Sequence, residues 1–492
     1  MTLANDNPIA LLLQEPEGKR LEFKRDARSP RPWLKSIVAF ANSAGGRLVF
    51  GVTDDRQVVG IENPLDEEER LANLIADSIA PRLVPNIEMT TVDAKTLLMI
   101  EVFLSGARPH FIKAEGMEGG TYVRLGSTNR QADAALIGEL KRSVNGGSFD
   151  ELPMPSLTLE DLDRAAIIQA FGTQRILDDQ ALLSLKLISH DQGRMVPTRG
   201  GILLFGKDRT QHFSDAWVQC GRFYGREKLD ILDHAEIIAP LPQTVDQVIL
   251  FLQKHAYRGA DLSAIRRKDR WSIPLSILRE AIINALVHGD YAQRGAPIRV
   301  VFLDNRIEIE SPGILLPGLT IDEIKQGTSR IRNHVIARVF RELHLIEQWG
   351  TGVRRIFAEA KAEGLPEPII EEIGMRLRLT IYLAVEHRST RSGEHTAAQQ
   401  EPGDQSRDQS RDQSVRVLQS LSDSELSASE IARSLDMPKK SGALKRAIKA
   451  LLEEGMVEYT LPDKPNSRLQ TYRLTEKGFK AITEKSAKKE QT

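Results

Sequence analysis

The stretch REAIINALVHGDY, residues 279–291, decides the fold of the central part of this chain. Glu280, Asn284 and His288 follow one another at intervals of four residues, so a helix places all three on one face. Isoleucine, leucine and valine fill the positions between them and give the same helix an apolar side for packing. Asparagine is a poor helix former, so its place in this helix indicates a function. The pattern predicts a packed helix that presents a carboxylate, an amide and an imidazole together.

The residues after this helix alternate between short strands and glycine-containing loops. We expect strands at residues 298–302 and 306–310, joined by a turn at Asp304 and Asn305, and then a loop at residues 311–313. Residues 327–333 (GTSRIRN) form a lid-like stretch. The sequence GTG at residues 350–352 opens a helix over residues 353–362, where free N–H groups and the helix dipole favour a phosphate.

This layout resembles the GHKL ATPases, the family of gyrase, the histidine kinases and MutL. The resemblance implies ATP and Mg²⁺ as cofactors, with Glu280 activating water and Asn284 holding the Mg²⁺ that accompanies the nucleotide. It also implies nucleotide contacts from a larger set: Asn284, His288, Ser311, Gly313, Thr328, Ser329, Arg330, Gly350, Thr351 and Gly352. Arg332 is expected to join Arg330 in pairing with the phosphates. Such lids order on ATP binding and favour dimerisation, so nucleotide would act as a conformational switch in a homo-oligomer.

One position departs from the family pattern. The first glycine box of these ATPases supplies an aspartate to the adenine amino group, whereas this chain has Ser311 there. Asp304 or Glu310 is the expected substitute. Two interpretations of the central segment stay open: a Mg·ATP site with weak hydrolysis, or a non-binding remnant of the same fold.

The first 150 residues carry three motifs among mixed helix and strand patterns. They are EGKRLEFKR at residues 17–25, AFANSAGGRLVFGVTDD at residues 39–55 and YVRLGSTNR at residues 122–130. We expect a helix at residues 33–44 and strands at residues 47–52, 96–104 and 120–124. The motifs resemble the Schlafen/AlbA-like DNA-binding domain, and their order before the central segment resembles RecG-related bacterial regulators. The sequence has no Gly-x-x-x-x-Gly-Lys-Ser/Thr loop, which argues against a P-loop helicase motor.

Two uses of this first domain compete. In the binding interpretation, nucleic acid (DNA before RNA) contacts five residues: Lys24, Arg25, Arg124, Asn129 and Arg130. In this interpretation, the glycines of the second motif let the protein backbone approach the nucleic acid. In the nuclease interpretation, Glu17, Glu22 and Asp54 hold a divalent metal that cleaves RNA such as tRNA. Binding ranks first, because the three carboxylates lie on separate elements of the chain, and an inert scaffold ranks third.

The remaining segments follow from composition. The central segment, residues 155–388, has further strands expected at residues 200–205 and 217–223. Residues 389–414 carry a DQSR-type repeat without an apolar face and are predicted to be a disordered linker. Residues 415–485 have the helix, helix, turn, helix and hairpin order of a winged helix, with Ser427 and Glu430 as a capping box. Its recognition helix carries three basic candidates for DNA contact: Lys445, Arg446 and Lys449.

Composition limits the alternatives. Lys and Arg (67) balance Asp and Glu (68), so any nucleic-acid contact must come from local basic patches. A single cysteine, Cys220, excludes disulfide frameworks and cysteine-based zinc sites, and its apolar surroundings predict a core position. No apolar run is long enough to span a membrane, so we expect a soluble cytoplasmic protein. The fold class predicted is α+β multidomain: a Schlafen/AlbA-like α+β domain (residues 1–150), a GHKL-type ATPase-like α/β sandwich and a C-terminal winged helix.

Overall fold

The computed structural model describes residues 8–172, 176–261, 268–346, 352–384, 417–421, 425–435, 448, 451–452, 455–460, 471–475, 477 and 479. The chain divides into two compact units, residues 1–391 and residues 392–492. The first unit contains the two domains expected at residues 1–150 and 155–388, and the second contains the C-terminal segment. Among the described residues, no helix is both long enough and apolar enough to cross a bilayer.

The first unit begins with an α+β domain. Its helices are α1 (Pro8–Leu12), α2 (Pro30–Asn42), α3 (Pro64–Ser78), α4 (Gly116–Gly120) and α5 (Ala134–Val144). Its strands are β1 (Leu21–Lys24), β2 (Gly46–Phe50), β3 (Ile79–Ala80), β4 (Asn86–Val92), β5 (Lys95–Val102), β6 (Phe111–Ile112), β7 (Tyr122–Leu125) and β8 (Thr128–Gln131). Four strands form a sheet in the order β1-β2-β5-β4, in which only β1 and β2 pair in parallel. Trp33, Ile37 and Phe40 bury α2 against this sheet.

The motif FANSAGG is a packing device at the end of α2. The side-chain amide of Asn42 donates to the carbonyl oxygens of His110 and Tyr122, both at 2.9 Å, and its oxygen accepts from the His110 N–H at 2.8 Å. A Cβ on Gly46 would lie 2.6 Å from the ring of Phe40. The expectation that this glycine admits the backbone of a nucleic acid is therefore wrong, because the protein's own ring already occupies that space.

The rest of the first unit is built on a six-stranded sheet. Its helices are α6 (Arg164–Phe171), α7 (Asp179–Ser184), α8 (Arg199–Phe205), α9 (Arg209–His212), α10 (Leu241–Lys254), α11 (Leu275–His288), α12 (Ile321–Lys325), α13 (His334–Glu342) and α14 (Gly352–Ala362). Its strands are β9 (Ile188–Asp191), β10 (Arg194–Pro197), β11 (Val218–Phe223), β12 (Ile231–Ile237), β13 (Arg258–Asp261), β14 (Lys268–Trp271), β15 (Ile298–Phe302), β16 (Arg306–Pro312), β17 (Ile369–Ile373) and β18 (Arg376–Tyr382). The sheet order is β12-β11-β15-β16-β18-β17, with β11 and β15 parallel and the other neighbours antiparallel. Cys220 is fully buried in β11, as expected, and burial raises the pKa of its thiol to about 12.

Two local expectations in this domain are wrong. Residues 200–205 form the helix α8 instead of a strand, because Thr198 caps it by accepting from the N–H of Gly201 at 3.0 Å. A Cβ on Gly201 would lie 2.1 Å from the carbonyl oxygen of Leu187, so the glycine serves a close approach of the helix. Ser311 and Pro312 belong to β16, where they pair with β18, instead of forming a loop.

The second unit has a small core of its own. Its described elements are α15 (Ala428–Ser434) and the antiparallel strands β19 (Val457–Tyr459) and β20 (Tyr472–Leu474). The capping box is confirmed, since Ser427 N–H donates to Glu430 at 2.8 Å and Glu430 N–H donates to the Ser427 hydroxyl at 3.3 Å. Three residues expected to contact DNA, Lys445, Arg446 and Lys449, lie outside the described residues, as does the linker at 389–414. The winged-helix topology stays a prediction.

Asp150 joins the two domains of the first unit, and its removal should destabilise that unit. Its carboxylate accepts from the N–H groups of Val335 and Ile336 at 2.7 and 2.9 Å, at the start of α13. We expect Asp150→Ala to lower the free energy of unfolding by about 1–3 kcal/mol, because buried N–H groups lose their acceptor. Chemical unfolding measures the effect. The matched control is Asp77→Ala, an exposed position; equal effects of the two changes would contradict this role.

Candidate functional site

A cavity of about 450 Å³ opens between α11, α14 and residues 311–332. Its volume lies in the range of about 300–1,000 Å³ that is typical of small-molecule sites. Ten of the residues selected from the sequence line it: Glu280, Asn284, His288, Ser311, Gly313, Thr328, Ser329, Arg330, Arg332 and Gly352. Gly350 and Thr351 lie outside the described residues. The helix face, the end of β16 and the lid-like stretch therefore meet at one cavity.

The carboxylate of Glu280 is held inside this cavity by two partners. Arg355 on α14 donates from Nη2 to Oε2 at 2.5 Å, and the amide nitrogen of Asn284 donates to Oε1 at 3.3 Å. Glu280 is only 9% exposed, so water shields this ion pair weakly. While Arg355 holds it, the carboxylate is not free to accept a proton from water. The sequence interpretation missed Arg355, although its position one helical turn after Gly352 was a usable signal.

Gly352 sets how closely α14 approaches α11. A Cβ on Gly352 would lie 1.9 Å from Oε1 of Glu280 and 3.5 Å from the amide nitrogen of Asn284. No other residue type fits at this position unless the carboxylate moves. The second glycine segment therefore brings the start of a helix directly against the polar face of α11.

Asn284 and His288 present uncharged polar atoms to the cavity. The amide nitrogen of Asn284 donates to Glu280, and among the described residues its oxygen has no hydrogen-bond partner. Burial, with a smaller contribution from the charge of Arg332, lowers the pKa of His288 to about 4. The imidazole is therefore neutral near pH 7 and can donate or accept a hydrogen bond without adding charge.

The two carboxylates expected to replace the missing aspartate are engaged elsewhere. Asp304 pairs with Arg222 at 2.6 Å and accepts from the N–H of Gly225 at 2.9 Å. Glu310 pairs with Arg378 at 2.7 Å and with Lys228 at 3.0 Å. Neither carboxylate lines the cavity, so the expectation that one of them contacts an adenine is wrong. Ser311 does line the cavity and offers only its hydroxyl there.

The two arginines of the lid-like stretch differ in how many of their nitrogens are already engaged in hydrogen bonds. Arg330 donates to the carbonyl oxygen of Pro317 at 2.8 Å and lines the cavity. Arg332 is only 8% exposed; it pairs with Glu139 on α5 and donates to the carbonyl oxygen of Ile314. Since both terminal nitrogens are engaged, the expectation that Arg332 is available to pair with phosphates in this cavity is wrong. Arg332 instead connects the lid-like stretch to the N-terminal domain.

In the N-terminal domain, Arg124 and Asn129 form an internal network. Arg124 is 1% exposed and donates to Glu22 at 2.7 Å, to Asn129 at 2.9 Å and to the carbonyl oxygen of Gly18 at 3.1 Å. The amide nitrogen of Asn129 donates to the hydroxyl of Ser36 at 2.9 Å. The expectation that Arg124 and Asn129 contact nucleic acid is therefore wrong, because these groups hold β1, α2 and the β7–β8 hairpin together.

The other three basic candidates are accessible. Arg25 and Arg130 are exposed, and neither has an ion-pair partner among the described residues. Lys24 is half-buried and pairs with Glu22 at 2.6 Å. Arg25 directly follows β1, and Arg130 lies on β8. The Arg124 network joins these two elements, so Arg25 and Arg130 lie next to or on elements that pack together.

The expected carboxylate cluster does not form a metal site in the described part of the chain. Glu22 is occupied by Arg124 and Lys24, and Glu17 accepts from the N–H of Phe23 at 2.7 Å. Asp54 lies in an exposed turn after β2. No group of three or more His, Cys, Asp or Glu side chains that could hold a metal ion occurs among the described residues.

Three segments of the chain match known protein families. Residues 17–133 match the family described as "Schlafen, AlbA_2", and residues 295–381 match "Putative ATP-dependent DNA helicase recG C-terminal", an HATPase family. These matches confirm the Schlafen/AlbA and RecG-related resemblances. Residues 412–475 match "Filamentation induced by cAMP protein Fic-like, C-terminal domain". That description does not name a winged helix, so the fold class is confirmed only as α+β multidomain with AlbA_2 and HATPase-like parts.

Two solved structures are similar to parts or all of the chain. The DIP2311 protein from Corynebacterium diphtheriae aligns over 96% of this chain and 97% of its own, at 19% identity and a TM-score of 0.42. The N-terminal domain of a "Putative ATP-dependent DNA Helicase RecG-related Protein" from Nitrosomonas europaea aligns over 25% of this chain and 90% of its own, at 29% identity and a TM-score of 0.20. No curated protein matches the chain.

The contact between Gly352 and Glu280 predicts a reversal of the usual glycine-to-alanine effect. Alanine usually favours a helix over glycine, yet Gly352→Ala should lower the free energy of unfolding by about 1 kcal/mol, because the new methyl group must displace the Glu280 carboxylate from Arg355. In a Glu280→Ala background the same change should be neutral or stabilising, because no carboxylate is displaced. Thermal unfolding of all four proteins gives this cycle.

Gly119→Ala is the matched control for this cycle, since a Cβ there meets one atom at 3.8 Å. We expect no destabilisation from it. An equal loss from Gly352→Ala in both backgrounds would show that the Glu280 carboxylate is not the cause.

Proposed function

We propose that this chain is a nucleic-acid-associated regulator in which a magnesium nucleotide, ATP by family resemblance, binds the cavity between α11 and α14 and acts as a conformational switch. The observation that carries the proposal is the convergence of ten sequence-selected residues on one cavity of about 450 Å³. The HATPase-family match over residues 295–381 supports it, because this segment contains β15, β16, the lid-like stretch and α14.

The residues of the cavity fit a magnesium-bound phosphate group. Asn284 keeps its amide oxygen free of partners among the described residues, and carboxamide oxygen is a suitable ligand for Mg²⁺. A bound Mg²⁺ supplies charge neutralisation to the phosphate oxygens. Arg330 lines the same cavity and offers guanidinium donors, which match phosphate oxygens in geometry and charge. The α14 helix begins at the cavity wall, where its N–H groups add to the positive potential.

Because Arg355 pairs with Glu280, the cavity can bind a nucleotide without hydrolysing it. Glu280 would need its carboxylate free to take a proton from water, but Arg355 lies 2.5 Å from it. An incoming phosphate competes for Arg355, because a guanidinium pairs with phosphate as readily as with carboxylate. Phosphate binding is therefore the event that can release Glu280. We infer a slow ATPase at most, in which nucleotide occupancy matters more than turnover.

Base recognition in this cavity is weaker than in the resembled ATPases. Asp304 and Glu310 are both committed to ion pairs on the sheet, and Ser311 supplies one hydroxyl. A single hydroxyl does not discriminate an amino from a carbonyl substituent, because it can donate or accept. We therefore expect the cavity to bind adenine and guanine nucleotides with similar affinity.

The nucleic-acid part of the proposal rests on the N-terminal domain. Its AlbA_2 match covers residues 17–133, and the exposed Arg25 and Arg130 lie next to or on elements of that domain that pack together. Phosphate contacts by such arginines position a nucleic acid without reading its sequence. Duplex DNA is the favoured target. A second contact by Lys445, Arg446 and Lys449 of the expected winged helix would add affinity.

Nucleotide binding should depend on Asn284. We expect calorimetric titration of the full chain with a non-hydrolysable ATP analogue and Mg²⁺ to show one binding site. The affinity for the nucleotide should fall about tenfold or more in Asn284→Ala, which corresponds to ~1.4 kcal/mol of binding free energy. The matched control is Asn86→Ala, an exposed residue on the edge strand β4, which should bind as the unchanged protein does. Absence of binding at millimolar nucleotide would contradict the proposal. Equal nucleotide affinity of Asn284→Ala and the unchanged protein would also contradict it.

DNA binding should depend on Arg25 and Arg130. We expect duplex binding to weaken in the double variant Arg25→Gln/Arg130→Gln and the logarithmic salt dependence to become shallower by about two counterions. Fluorescence anisotropy over a range of salt concentrations measures both effects. Arg82→Gln, a change at another exposed arginine of the same domain, is the control. A double variant with the affinity and salt dependence of this control would remove the N-terminal domain from the binding surface.

A further inference from the structure

A second cavity, of about 300 Å³, lies between the end of α5 and the lid-like stretch. Its lining includes Arg142 and Gly147 from the N-terminal domain side, and Arg330 and Arg332 from the lid. The lid-like stretch thus forms a wall common to this cavity and to the candidate nucleotide cavity. No residue of the proposed phosphate site on α11 or α14 lines the second cavity, whereas Arg330 and Arg332 line both cavities.

The second cavity gathers more positive charge than its neighbours balance. Arg142, Arg330 and Arg332 line it against two carboxylates, Glu139 and Asp290. Burial, opposed by Arg332, raises the pKa of Glu139 to about 7, so this carboxyl balances less than a full charge near neutral pH. Arg142 has no ion-pair partner within 4 Å among the described residues.

Two further arginines feel the charge of this group from just outside the cavity. Burial and the charge of Arg330 lower the pKa of Arg108, and burial and the charge of Arg142 lower the pKa of Arg199. Like charges so close together destabilise one another, and an anion between them removes that cost.

The cavity also contains polar atoms that the protein leaves without partners. Nε of Arg332 is buried and has no hydrogen-bond partner among the described residues, and Arg332 as a whole is only 8% exposed. The Oε1 atom of Glu139 is buried and unpartnered as well, but an anion cannot complete this acceptor, so only the arginine nitrogen favours an anion. A buried donor that stays unpaired is costly, and native structures rarely keep one unless a ligand or water completes it.

We propose that this second cavity binds a small phosphate-bearing anion, held by Arg142, Arg330 and the free Nε of Arg332. A guanidinium donates to phosphate oxygens with matching geometry and charge, and Arg142 and Arg330 can do so here. Arg332 offers only its Nε, because its two terminal nitrogens bond to Glu139 and Ile314. The volume of about 300 Å³ admits a phosphate or diphosphate group and excludes a duplex. The site shares Arg330 and Arg332 with the first cavity and differs from it in Arg142, which lines only the second cavity.

Gly147 provides the sharpest test, because it lines the cavity mouth and a Cβ there meets no atom within 4 Å. Gly147→Glu places a negative charge at the mouth, and Gly147→Gln is its neutral counterpart of the same size. Sodium diphosphate without magnesium is titrated calorimetrically into the full chain. We expect the unchanged protein and Gly147→Gln to bind alike and Gly147→Glu and Arg142→Gln to bind about tenfold or more weakly.

Three further measurements complete the test. Arg355→Gln should keep its diphosphate binding, because Arg355 lines only the first cavity, and this result separates the two cavities. Equal melting temperatures of Gly147→Glu and Gly147→Gln show that the added charge has not unfolded the protein. A single-stranded oligonucleotide should bind the two Gly147 variants alike.

Three results would overturn the proposal. The first is equal diphosphate binding by the glutamate and glutamine variants. The second is loss of diphosphate binding in Arg355→Gln but not in Arg142→Gln, which would assign the anion to the first cavity. The third is an effect of Gly147→Glu on the oligonucleotide but not on diphosphate, which would make this cavity part of a nucleic-acid surface.

Discussion

Gly352 brings the first turn of α14 so close to Glu280 that a single methyl group would overlap the carboxylate. The rest of the cavity depends on this contact. It places Arg355 against Glu280 and turns the amide of Asn284 so that its nitrogen faces the carboxylate. The oxygen of that amide then remains for a ligand. A buried carboxylate of this kind is stable only with its cation, so any ligand that draws Arg355 away must also change how α11 and α14 are held together.

In the proposed switch, the lid-like stretch is the element that carries such a change to the N-terminal domain. Arg332 is fixed to Glu139 on α5, Arg20 pairs with Glu323 on α12 at 2.9 Å, and the N–H of Gly318 donates to the carbonyl oxygen of Ser43 at 2.6 Å. These contacts tie the lid-like stretch, α12 and the segment before α12 to the domain that carries the exposed arginines. Two sites are coupled when both change the conformational equilibrium of one shared element. The lid-like stretch lies between the candidate nucleotide cavity and the N-terminal domain, so it is such an element.

The spacing of residues in the sequence identifies the site but does not show which polar groups form hydrogen bonds and ion pairs within the protein. The spacing of Glu280, Asn284 and His288 placed them correctly on one helix face, because a long amphipathic helix is set by local rules. Arg124 and Asp304 were misassigned, since their partners lie far away in the sequence and only tertiary contacts show them to be occupied. Residues 200–205 were expected as a strand because a short apolar run flanked by glycines does not distinguish a buried helix from a buried strand.

Hydrogen–deuterium exchange of the full chain, with and without a saturating magnesium-bound ATP analogue, tests the central claim most directly. If the cavity between α11 and α14 is a nucleotide site linked to the N-terminal domain, exchange should slow in peptides covering residues 275–288, 320–333 and 352–362. It should also change in α5, where Glu139 meets the lid. Unchanged exchange in all of these peptides would contradict the account, and protection of α11 and α14 without any change in α5 would remove the link to the N-terminal domain.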